Sequence, residues 1–460
     1  MIEYQLSMSV ESLRAKHPVF IYNDLNIYQN SNRLDIDFDF TMEPDVAFRP
    51  KVSIPIIEKV KSEDIENFAF HLGLIEAVSY WKSACSPEFI VKAGKLNEQQ
   101  VSWWHDLFIH GLGEFFYQNN INFTNPNFLS IRSEADAPTY KKVQPKDMSG
   151  DLIMVGGGKD SAVTLEILKK MGKRRNVFIL NPTRPALEIT SNAGYKEPLI
   201  IERTIDRKLL DLNSKGYLNG HTPFSAYLAF LGIFVGELHD YENIVASNEQ
   251  SAGEGNVVFH ELEINHQYSK SIRFERLFRE YYTKFLTSDI QYFSFLRPLY
   301  ELQISRLFVK QDGQLDAFCS CNVNRGESWC GECPKCAFVY LSLFPFLDST
   351  RLKEVFGKDF FDNPQIQKHI VDLVGLGEHK PFDCVGTVEE SRMAVALVIK
   401  KYELLNQPLP DFFVFLKDKL GVTDDVSADQ IEKKLKGDWS NSNFLPREYS
   451  RLLRKKISQL

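Results

Sequence analysis

Apolar and polar residues alternate along the start of the chain, most clearly over residues 19–22 and 34–40. Alternation with a period of two is typical of strands that bury one face, so these segments are predicted to form β-hairpins. The apolar spacing becomes helical over residues 62–81 and again over 98–117, where the aromatic side chains are expected to lie in a core. The first third of the chain is therefore predicted to be an α+β unit, and it shows no evident chemistry.

A different pattern begins at residue 151, where short apolar segments alternate with helical ones. Residues 151–155, 176–180 and 243–247 are predicted strands, and residues 159–168 are a predicted helix that follows three glycines. Such alternation predicts a parallel sheet with helices on both faces. Ligands of these sheets bind at the carboxyl ends of the strands, which is where the glycine-rich and polar loops fall.

After a cluster of cysteines, the rest of the chain is predicted to be mainly helical and ends in a basic stretch. The predicted fold class is α/β, with a parallel-sheet domain that carries the cysteine site, an N-terminal α+β domain and a helical C-terminal region. We expect the N-terminal domain at 1–148, the parallel-sheet domain with the cysteine cluster at 149–345, and the helical region at 346–460.

The composition is that of a folded protein, since 43% of the 460 residues are hydrophobic and 25% are charged. A net charge of −7 argues against a protein that coats nucleic acid, because such binding depends on Lys and Arg neutralising phosphates. The longest apolar run, residues 227–235, is far shorter than the ~20 residues of a membrane helix, and no secretory signal is visible. A cytoplasmic protein is expected, with neither nucleic acid nor membrane as partner. The sequence leaves its oligomeric state open.

The three glycines open a short polar segment between a predicted strand and a predicted helix. Glycines let the backbone approach a phosphate, and the N–H groups at the start of a helix attract an anion. The spacing differs from that of a Walker loop and from the dinucleotide-binding fingerprint. An aspartate beside a polyphosphate makes sense where it meets Mg²⁺ or orients a group. The predicted nucleotide-binding residues are Gly156, Gly157, Gly158, Lys159, Asp160 and Ser161, with Asn181 and Arg184 after the next strand.

Five of the seven cysteines lie between residues 319 and 336. In a cytosolic chain, clustered cysteines indicate metal binding or catalysis before disulfides. Four thiolates at this spacing can close a tetrahedral Zn²⁺ site, which has no open position and is therefore structural. An Fe–S cluster and a set of free core thiols are the alternatives. The expected ligands are Cys321, Cys330, Cys333 and Cys336, with Cys319 as the alternative to Cys321.

The glycine loop resembles the pyrophosphate loop of the ATP-pyrophosphatase superfamily, with Gly156 where that loop usually has Ser. Enzymes of that superfamily cleave ATP to AMP and pyrophosphate and adenylate a substrate. Together with the cysteine cluster, the loop looks like that of the deazaguanine nitrile synthases. Those enzymes share the cysteine spacing but are much shorter and lack the N-terminal domain.

A closer resemblance is to the UDP-N-acetylmuramoyl-L-alanyl-L-glutamate epimerase family of bacterial peptidoglycan synthesis. It spans residues 150–400 and, more weakly, the rest of the chain. The combination of motifs is much more specific than the glycine loop alone. The resembling segments are 155–161, 219–225, 247–251, 265–270, 296–299, 328–337 and 380–386.

The family resemblance implies inversion of the terminal L-Glu of UDP-MurNAc-L-Ala-L-Glu to D-Glu, with ATP and Mg²⁺. An α-proton beside a free carboxylate is very weakly acidic, because its removal builds negative charge next to an anion. Adenylation removes that charge, so that a base can take the proton and an acid can return one on the other face. Hydrolysis frees the product with AMP and pyrophosphate. The loop is expected to hold the departing pyrophosphate, and Mg²⁺ to bridge phosphate oxygens.

The group that moves the proton must titrate near neutral pH or be tuned to it. His221, His266 and Cys384 are the candidates, and each has a structural or binding role as its alternative. Asp160 is included among the catalytic candidates, and Asp383 and Glu254 are further carboxylate options. Contacts to substrate anions are expected from Arg184, Arg203, Lys270, Arg273 and Arg297.

Two other classes of function remain open at the level of sequence. Another adenylating ligase of the superfamily, acting on a nucleobase or tRNA, would join the activated carboxylate to ammonia without inversion. A non-catalytic zinc-ribbon module on an inactive ATP scaffold is the third class, and the intact Lys159, Asp160 and Ser161 argue against it. AMP formation separates this third class from the other two, which differ in the substrate that triggers it.

Overall fold

The computed structural model describes residues 8–311, 313–324, 326–422 and 428–460. The helices are α1 (Val10–Lys16), α2 (Ser62–Trp81), α3 (Glu98–Gly111), α4 (Gly113–Gln118), α5 (Lys159–Leu168), α6 (Arg184–Asn192), α7 (Arg207–Ser214), α8 (Phe224–Leu238), α9 (Ile272–Phe285), α10 (Glu301–Phe308), α11 (Pro334–Leu343), α12 (Ser349–Phe356), α13 (Pro364–Leu373), α14 (Val388–Leu404), α15 (Asp411–Leu420), α16 (Ala428–Gly437) and α17 (Arg447–Ile457). The strands are β1 (Val19–Gln29), β2 (Arg33–Met42), β3 (Val46–Phe48), β4 (Lys51–Pro55), β5 (Glu88–Val91), β6 (Ser130–Ser133), β7 (Asp151–Met154), β8 (Arg175–Leu180), β9 (Leu199–Thr204), β10 (Asn243–Ala246), β11 (Val257–Phe259), β12 (Leu262–Ile264) and β13 (Gln291–Ser294).

One sheet of eleven strands extends through the molecule in the order β13-β10-β7-β8-β9-β4-β2-β1-β5-β6, with β3 paired to β2. The five strands from β13 to β9 are mutually parallel, as are β1, β5 and β6. The strands between these groups pair antiparallel. The predicted α/β class, with a mostly parallel sheet and a helical C-terminal region, is therefore confirmed.

The sheet continues past the expected boundary at residue 148, because β4 pairs antiparallel with β9 and places Lys51 opposite Thr204. The early hairpin strands and the later parallel strands thus share one hydrogen-bonded ladder. The division into three regions stays a prediction.

The direction of strand addition reverses between β7 and β10. From β7 the chain adds β8 and β9 on one side, and later adds β10 and β13 on the other. β7 and β10 are direct neighbours, with Asp151 opposite Asn243. Open sheets of this kind bind ligands in the crevice beyond the carboxyl ends of the strands at such a reversal. The topology therefore directs attention to the loops that follow β7 and β10.

Alternation along the parallel strands divides the interior into two cores. One face packs with α2, α8 and α9, and the other packs with α5, α10 and α11. The C-terminal helices α13, α14 and α17 extend the second core. The first face presents Leu152, Phe178, Ile201, Ile244 and Tyr292, and the second presents Ile153, Val177, Ile179, Val245 and Phe293.

The helical stretch predicted over residues 98–117 is broken at Leu112, between α3 and α4. Glycines flank the break because two other segments of the same chain pack closely there. A Cβ on Gly111 would lie 3.0 Å from Cβ of Pro223, and one on Gly113 would lie 3.3 Å from Ile264. The break lets α4 pack against two loops of the parallel-sheet region.

Within the described residues, none of the helices is both long and apolar enough to cross a membrane.

Candidate active site

A cleft of about 620 Å³ opens beyond the carboxyl ends of β7 and β10. This volume lies within the roughly 300–1,000 Å³ of small-molecule sites. Apolar and polar side chains both line the cleft. Its lining includes Gly156, Asp160, Ser161, Phe178, Leu180, Asn181, Phe224, Leu228, Asn248, Glu249 and Lys270.

The glycine loop approaches its neighbours too closely for side chains at two of its three positions. Gly157 has φ +95°, and a Cβ there would lie 2.9 Å from the amide N of Ala186. Gly158 caps the N-terminus of α5, and a Cβ there would lie 2.9 Å from Oγ of Ser320. Gly156 has no such neighbour within 4 Å, so a Ser fits at this position without a clash. The loop leaves the start of α5 directed at the cleft.

A group of carboxylates lies beside the loop. Carboxylate oxygens of Asp160, Glu249 and Glu301 all lie within 4.8 Å of one another. The ammonium group of buried Lys159 contacts Asp160 at 2.5 Å and also contacts Glu301. Burial raises the pKa of Glu249 and that of Glu301, the latter to about 7. Oxygen ligands in this arrangement suit a hard divalent cation, and the Lys159 ammonium supplies positive charge there in this structure.

The three predicted base candidates lie together at the far side of Lys270. The Lys270 ammonium donates to Sγ of Cys384 at 3.2 Å, and Nε2 of His266 lies 3.7 Å from the same sulfur. The rings of His221 and His266 are 4.5 Å apart between centroids. Lys335 donates to the carbonyl O of Cys384. Residues far apart in sequence thus form one cluster around a half-buried thiol.

In this cluster, neighbouring charges shift the pKa values of Cys384 and His266 in the direction opposite to the effect of burial. Burial alone would raise the pKa of Cys384, but Lys270, His266 and Lys335 outweigh it and lower that pKa to about 6. Burial would likewise lower the pKa of His266, yet Cys384 and Glu114 raise it to about 10. Burial, with the nearby charges of His266 and Lys82, lowers the pKa of His221 well below its usual value. The cluster therefore contains a thiolate, an imidazolium and a neutral imidazole.

Glu114 is the member of this cluster that the sequence did not reveal. Its Oε2 contacts Nδ1 of His266 and lies 3.3 Å from Nδ1 of His221. It lies on α4, in the region expected to show no chemistry, and no motif marks it. The region expected to show no chemistry therefore contributes a carboxylate to this cluster. Glu249 and Glu301 were also missed, although each follows a strand at the ligand-binding edge, which is a usable signal.

The other candidates lie in varied places. Asn181 lines the cleft, whereas Arg184 lines a separate pocket and donates to the carbonyl O of Glu327 at 3.1 Å. Asp383 accepts from the amide N of Cys384 at 2.8 Å. Glu254 pairs with Lys380 at 3.0 Å.

Of the remaining cations proposed for anion contacts, three are engaged by carboxylates of the protein. Arg203 forms a buried pair with Glu76, and exposed Arg273 pairs with Asp106 at 2.6 Å. Buried Arg297 pairs with Glu275 at 3.0 Å. It also donates to the carbonyl oxygens of Glu249 and Lys270, and so braces two residues of the cleft.

The structure groups four of the five clustered cysteines. Sulfur atoms of Cys321, Cys330, Cys333 and Cys336 lie within 4.8 Å of one another, and this group does not include Cys319. Sγ of Cys330 and Sγ of Cys336 are 3.7 Å apart. A tetrahedron with Zn–S bonds of about 2.3 Å has an edge of about 3.8 Å, so the geometry fits zinc.

The cysteine group lies between the glycine loop and the thiol. On one side, the amide N of Cys319 donates to the carbonyl O of Gly157 at 3.2 Å, and Ser320 packs on Gly158. On the other side, Lys335, next to Cys336, donates to the backbone of Cys384. Residues adjacent to the cysteine group in sequence therefore contact both the glycine loop and the thiol segment.

Comparisons with known proteins identify the family of this chain. Residues 11–295 match the MurL N-terminal domain, and residues 317–416 match the MurL C-terminal domain. The chain belongs to the MurL family. No solved structure matches this MurL chain.

Three curated relatives of this MurL protein are named UDP-N-acetyl-alpha-D-muramoyl-L-alanyl-L-glutamate epimerase. The Micromonospora sp. relative is 36% identical over 346 residues, which is 74% of this chain and 76% of the relative. The Xanthomonas oryzae pv. oryzae relative is 34% identical, over 72% of this chain and 74% of its own. The Salinispora tropica relative is 37% identical, over 71% of this chain and 72% of the relative. The predicted family is confirmed, and so is the prediction of an isomerase, since epimerases are isomerases.

Proposed function

We propose that this MurL protein is an ATP-dependent epimerase that converts the terminal L-Glu of UDP-MurNAc-L-Ala-L-Glu to D-Glu during synthesis of peptidoglycan precursors. The names of the relatives support the substrate. The observation that carries the mechanism is the position of Lys270, which lines the cleft and donates to Sγ of Cys384 at 3.2 Å. One side chain thus joins a nucleotide-sized cleft to a thiolate that can act as base.

The lining of the cleft suits the two parts of ATP. The apolar lining from Phe178, Leu180 and Leu228 suits an adenine ring, and the glycine loop at the start of α5 suits phosphates. The room beside Gly156 supports the resemblance to the pyrophosphate loop, because the usual Ser would also fit.

Asp160, Glu249 and Glu301 are the residues that would hold Mg²⁺, since their oxygens already converge. Bound there, the ion would offset the charge of the phosphates during transfer. Cys321, Cys330, Cys333 and Cys336 would hold a structural Zn²⁺. A reactive thiolate and four metal-binding thiols persist in a reducing compartment, which supports a cytoplasmic location.

The first step activates the substrate. An oxygen of the α-carboxylate attacks the α-phosphorus of ATP, and the bond to the β-phosphate breaks to release pyrophosphate. The N–H groups at the start of α5 and the hydroxyl of Ser161 would hold the departing anion. The acyl group that results carries no negative charge, so its α-proton becomes acidic enough for a side-chain base.

The second step inverts the centre. Sγ of Cys384 takes the α-proton, and the electron pair moves onto the acyl oxygen, where the Lys270 ammonium would offset the charge. A proton returned to the opposite face gives the D configuration. We propose that this proton comes from solvent, because His221 is neutral in this cluster and its Nδ1 faces Oε2 of Glu114 at 3.3 Å. Water then cleaves the acyl–phosphate bond and releases the D-Glu product and AMP.

Substrate analogues test this assignment. We expect AMP release with UDP-MurNAc-L-Ala-L-Glu and with the matched analogue whose terminal residue is L-Gln, because both keep the α-carboxylate. The analogue with an α-carboxamide should release none. AMP release from the α-carboxamide analogue, or none from the natural substrate with folded, zinc-loaded protein, would contradict the proposal.

A further inference from the structure

Glu114 lies where three segments of the chain meet. Its side chain is buried, and Oε2 contacts Nδ1 of His266 and, at 3.3 Å, Nδ1 of His221. The other oxygen, Oε1, accepts a hydrogen bond from Nε2 of Gln118 at 2.7 Å. Both carboxylate oxygens therefore have partners inside the protein, and the orientation of the group is fixed.

The local sequence is built to bring this carboxylate to the histidines. The break at Leu112 lets α4 pack on Ile264, and the amide of Asn119 donates to the carbonyl O of Asn219 at 3.1 Å. Lys82 holds the same loop by donating to Oγ1 of Thr222 at 2.7 Å. α4 thus contacts both loops that carry the histidines.

We propose that Glu114 completes a Cys384–His266–Glu114 triad and is a positioning residue for the base, because it holds His266 in the orientation and charge that keep Cys384 a thiolate. The N-terminal part of the chain then has a defined role in the reaction, since it supplies the third member. This inference rests on the proposed function, in which Cys384 takes the α-proton.

The contacts follow the logic of nucleophile–histidine–carboxylate triads. The carboxylate accepts Nδ1–H of His266, which turns Nε2–H toward Sγ of Cys384 at 3.7 Å. A single oxygen serves two imidazoles, of which His266 carries the charge. Without the carboxylate, the imidazolium would lose its main partner apart from the thiolate.

Other charged groups face this triad, and a test must separate their effects on Cys384 from the effect of Glu114. Lys270, Lys335 and neighbouring Asp383 surround Cys384, while His221 faces His266 and Lys82 faces Glu114. Lys270 and Lys335 stabilise the thiolate independently of Glu114. The proposal requires that the effect of Glu114 on Cys384 pass through His266 rather than through His221 or Lys82.

The test is the alkylation rate of Cys384 by iodoacetamide as a function of pH, read by peptide mass spectrometry without substrate. The wild-type rate should rise with a midpoint near pH 6. Glu114→Gln should move the midpoint up by about one pH unit or more, and Glu114→Asp should restore part of the shift. The matched control is Glu88→Gln, a surface carboxylate paired with Arg132, which should leave the midpoint unchanged.

A double-mutant cycle decides whether Glu114 acts through His266. In a His266→Gln background, Glu114→Gln should produce no further shift. An equal shift in that background, or no shift in a folded single variant, would overturn the proposal.

The wild-type protein gives a second test in case Glu114→Gln does not fold. Nitrogen chemical shifts of ¹⁵N-labelled His266 should show a charged ring at pH 8, and a neutral ring would overturn the triad. Neither measurement needs substrate or ATP. Failure of the triad is therefore distinguishable from failure of the epimerase proposal.

Discussion

The thiol of Cys384 and the imidazole of His266 have pKa values displaced in opposite directions. Burial opposes both displacements. Lys270 and His266 overcome it at Cys384, and Cys384 and Glu114 overcome it at His266. Cys384 is a thiolate above about pH 6, and His266 stays protonated up to about pH 10. The proposed base is therefore ionised across the physiological range.

The rate of α-hydrogen exchange should follow the ionisation of Cys384. The rate rises as pH increases through about 6, because Cys384 loses its proton, and then levels off, because the thiolate persists at higher pH. The measurement is deuterium incorporation into the substrate at saturating ATP from pH 5 to 10.5. A profile that rises only near pH 8.5, the value of an ordinary thiol, would contradict the assignment of the base.

Replacing Cys384 should separate activation from inversion. Cys384→Ser keeps the size of the side chain, but its hydroxyl stays protonated throughout this range. We expect deuterium exchange to fall by about 10²–10⁴-fold while substrate-dependent AMP release continues. Exchange at the wild-type rate would assign the base elsewhere.

Among single residues, the sequence revealed the side chains of rare types in this cluster and missed the one of a common type. Cys384, His221 and His266 stand out because few side chains titrate near neutrality. Glu114 is one of 61 acidic residues, and only the break in the helix brings it to the histidines. No local pattern distinguishes it from a solvent-exposed glutamate.

Two neighbouring glycines in the loop between β7 and α5 offer a matched pair of substitutions. Gly157→Ala forces a side chain into φ +95° beside the backbone of Ala186, at a cost of about 1–3 kcal/mol. If the loop distorts to relieve it, ATP affinity should fall by about tenfold or more. Gly156→Ser meets no atom within 4 Å and should bind ATP as the wild type does.

Calorimetric titration of ATP with Mg²⁺ into each variant measures this difference. Equal losses of affinity in both variants would show that the loop does not hold the nucleotide.

The cysteine group supplies a second matched pair. Cys336→Ser removes a buried member of the group and should lower both zinc content and the melting temperature, with ATP binding weakened through Cys319 and Gly157. Cys319→Ser lies outside the group and keeps its backbone hydrogen bond, so zinc content should be unchanged. Elemental analysis of the two purified variants checks this. Zinc loss in Cys319→Ser alone would reverse the ligand assignment.

Local sequence patterns predicted the helices and strands, but they did not predict which segments pack against one another. The helix at 62–81 was predicted with the bounds that the structure shows, because a polar first turn begins at Ser62 and apolar residues follow as far as Trp81. The break at Leu112 was missed because residues 98–117 keep helical spacing across it. Its cause is the close approach of Pro223 and Ile264, which are distant in sequence.

In the whole molecule, one sheet connects the N-terminal strands to the strands that border the cleft. The pairing of β4 with β9 joins them, and the buried pair of Glu76 with Arg203 lies across the same junction. Period-two patterns identify such strands but carry no information on which strand lies beside which. That is why the continuity of the sheet could not be predicted.

Breaking the buried pair should destabilise the whole protein. Glu76→Gln leaves the Arg203 guanidinium buried and without its bidentate partner, which costs about 3–5 kcal/mol. Denaturant unfolding followed by circular dichroism measures the free energy of unfolding. Glu88→Gln, which breaks an exposed pair, should change it by less than about 1 kcal/mol. Equal effects would show that the junction does not contribute in this way.

The most direct test of the central claim uses the protein with ATP, Mg²⁺ and UDP-MurNAc-L-Ala-L-Glu in D₂O. AMP, α-deuterium and the chirality of the glutamate are measured together. The proposed mechanism predicts D-Glu that carries α-deuterium and appears only when AMP is formed. AMP with unchanged L-Glu and no deuterium, or no AMP from folded and zinc-loaded protein, would contradict it.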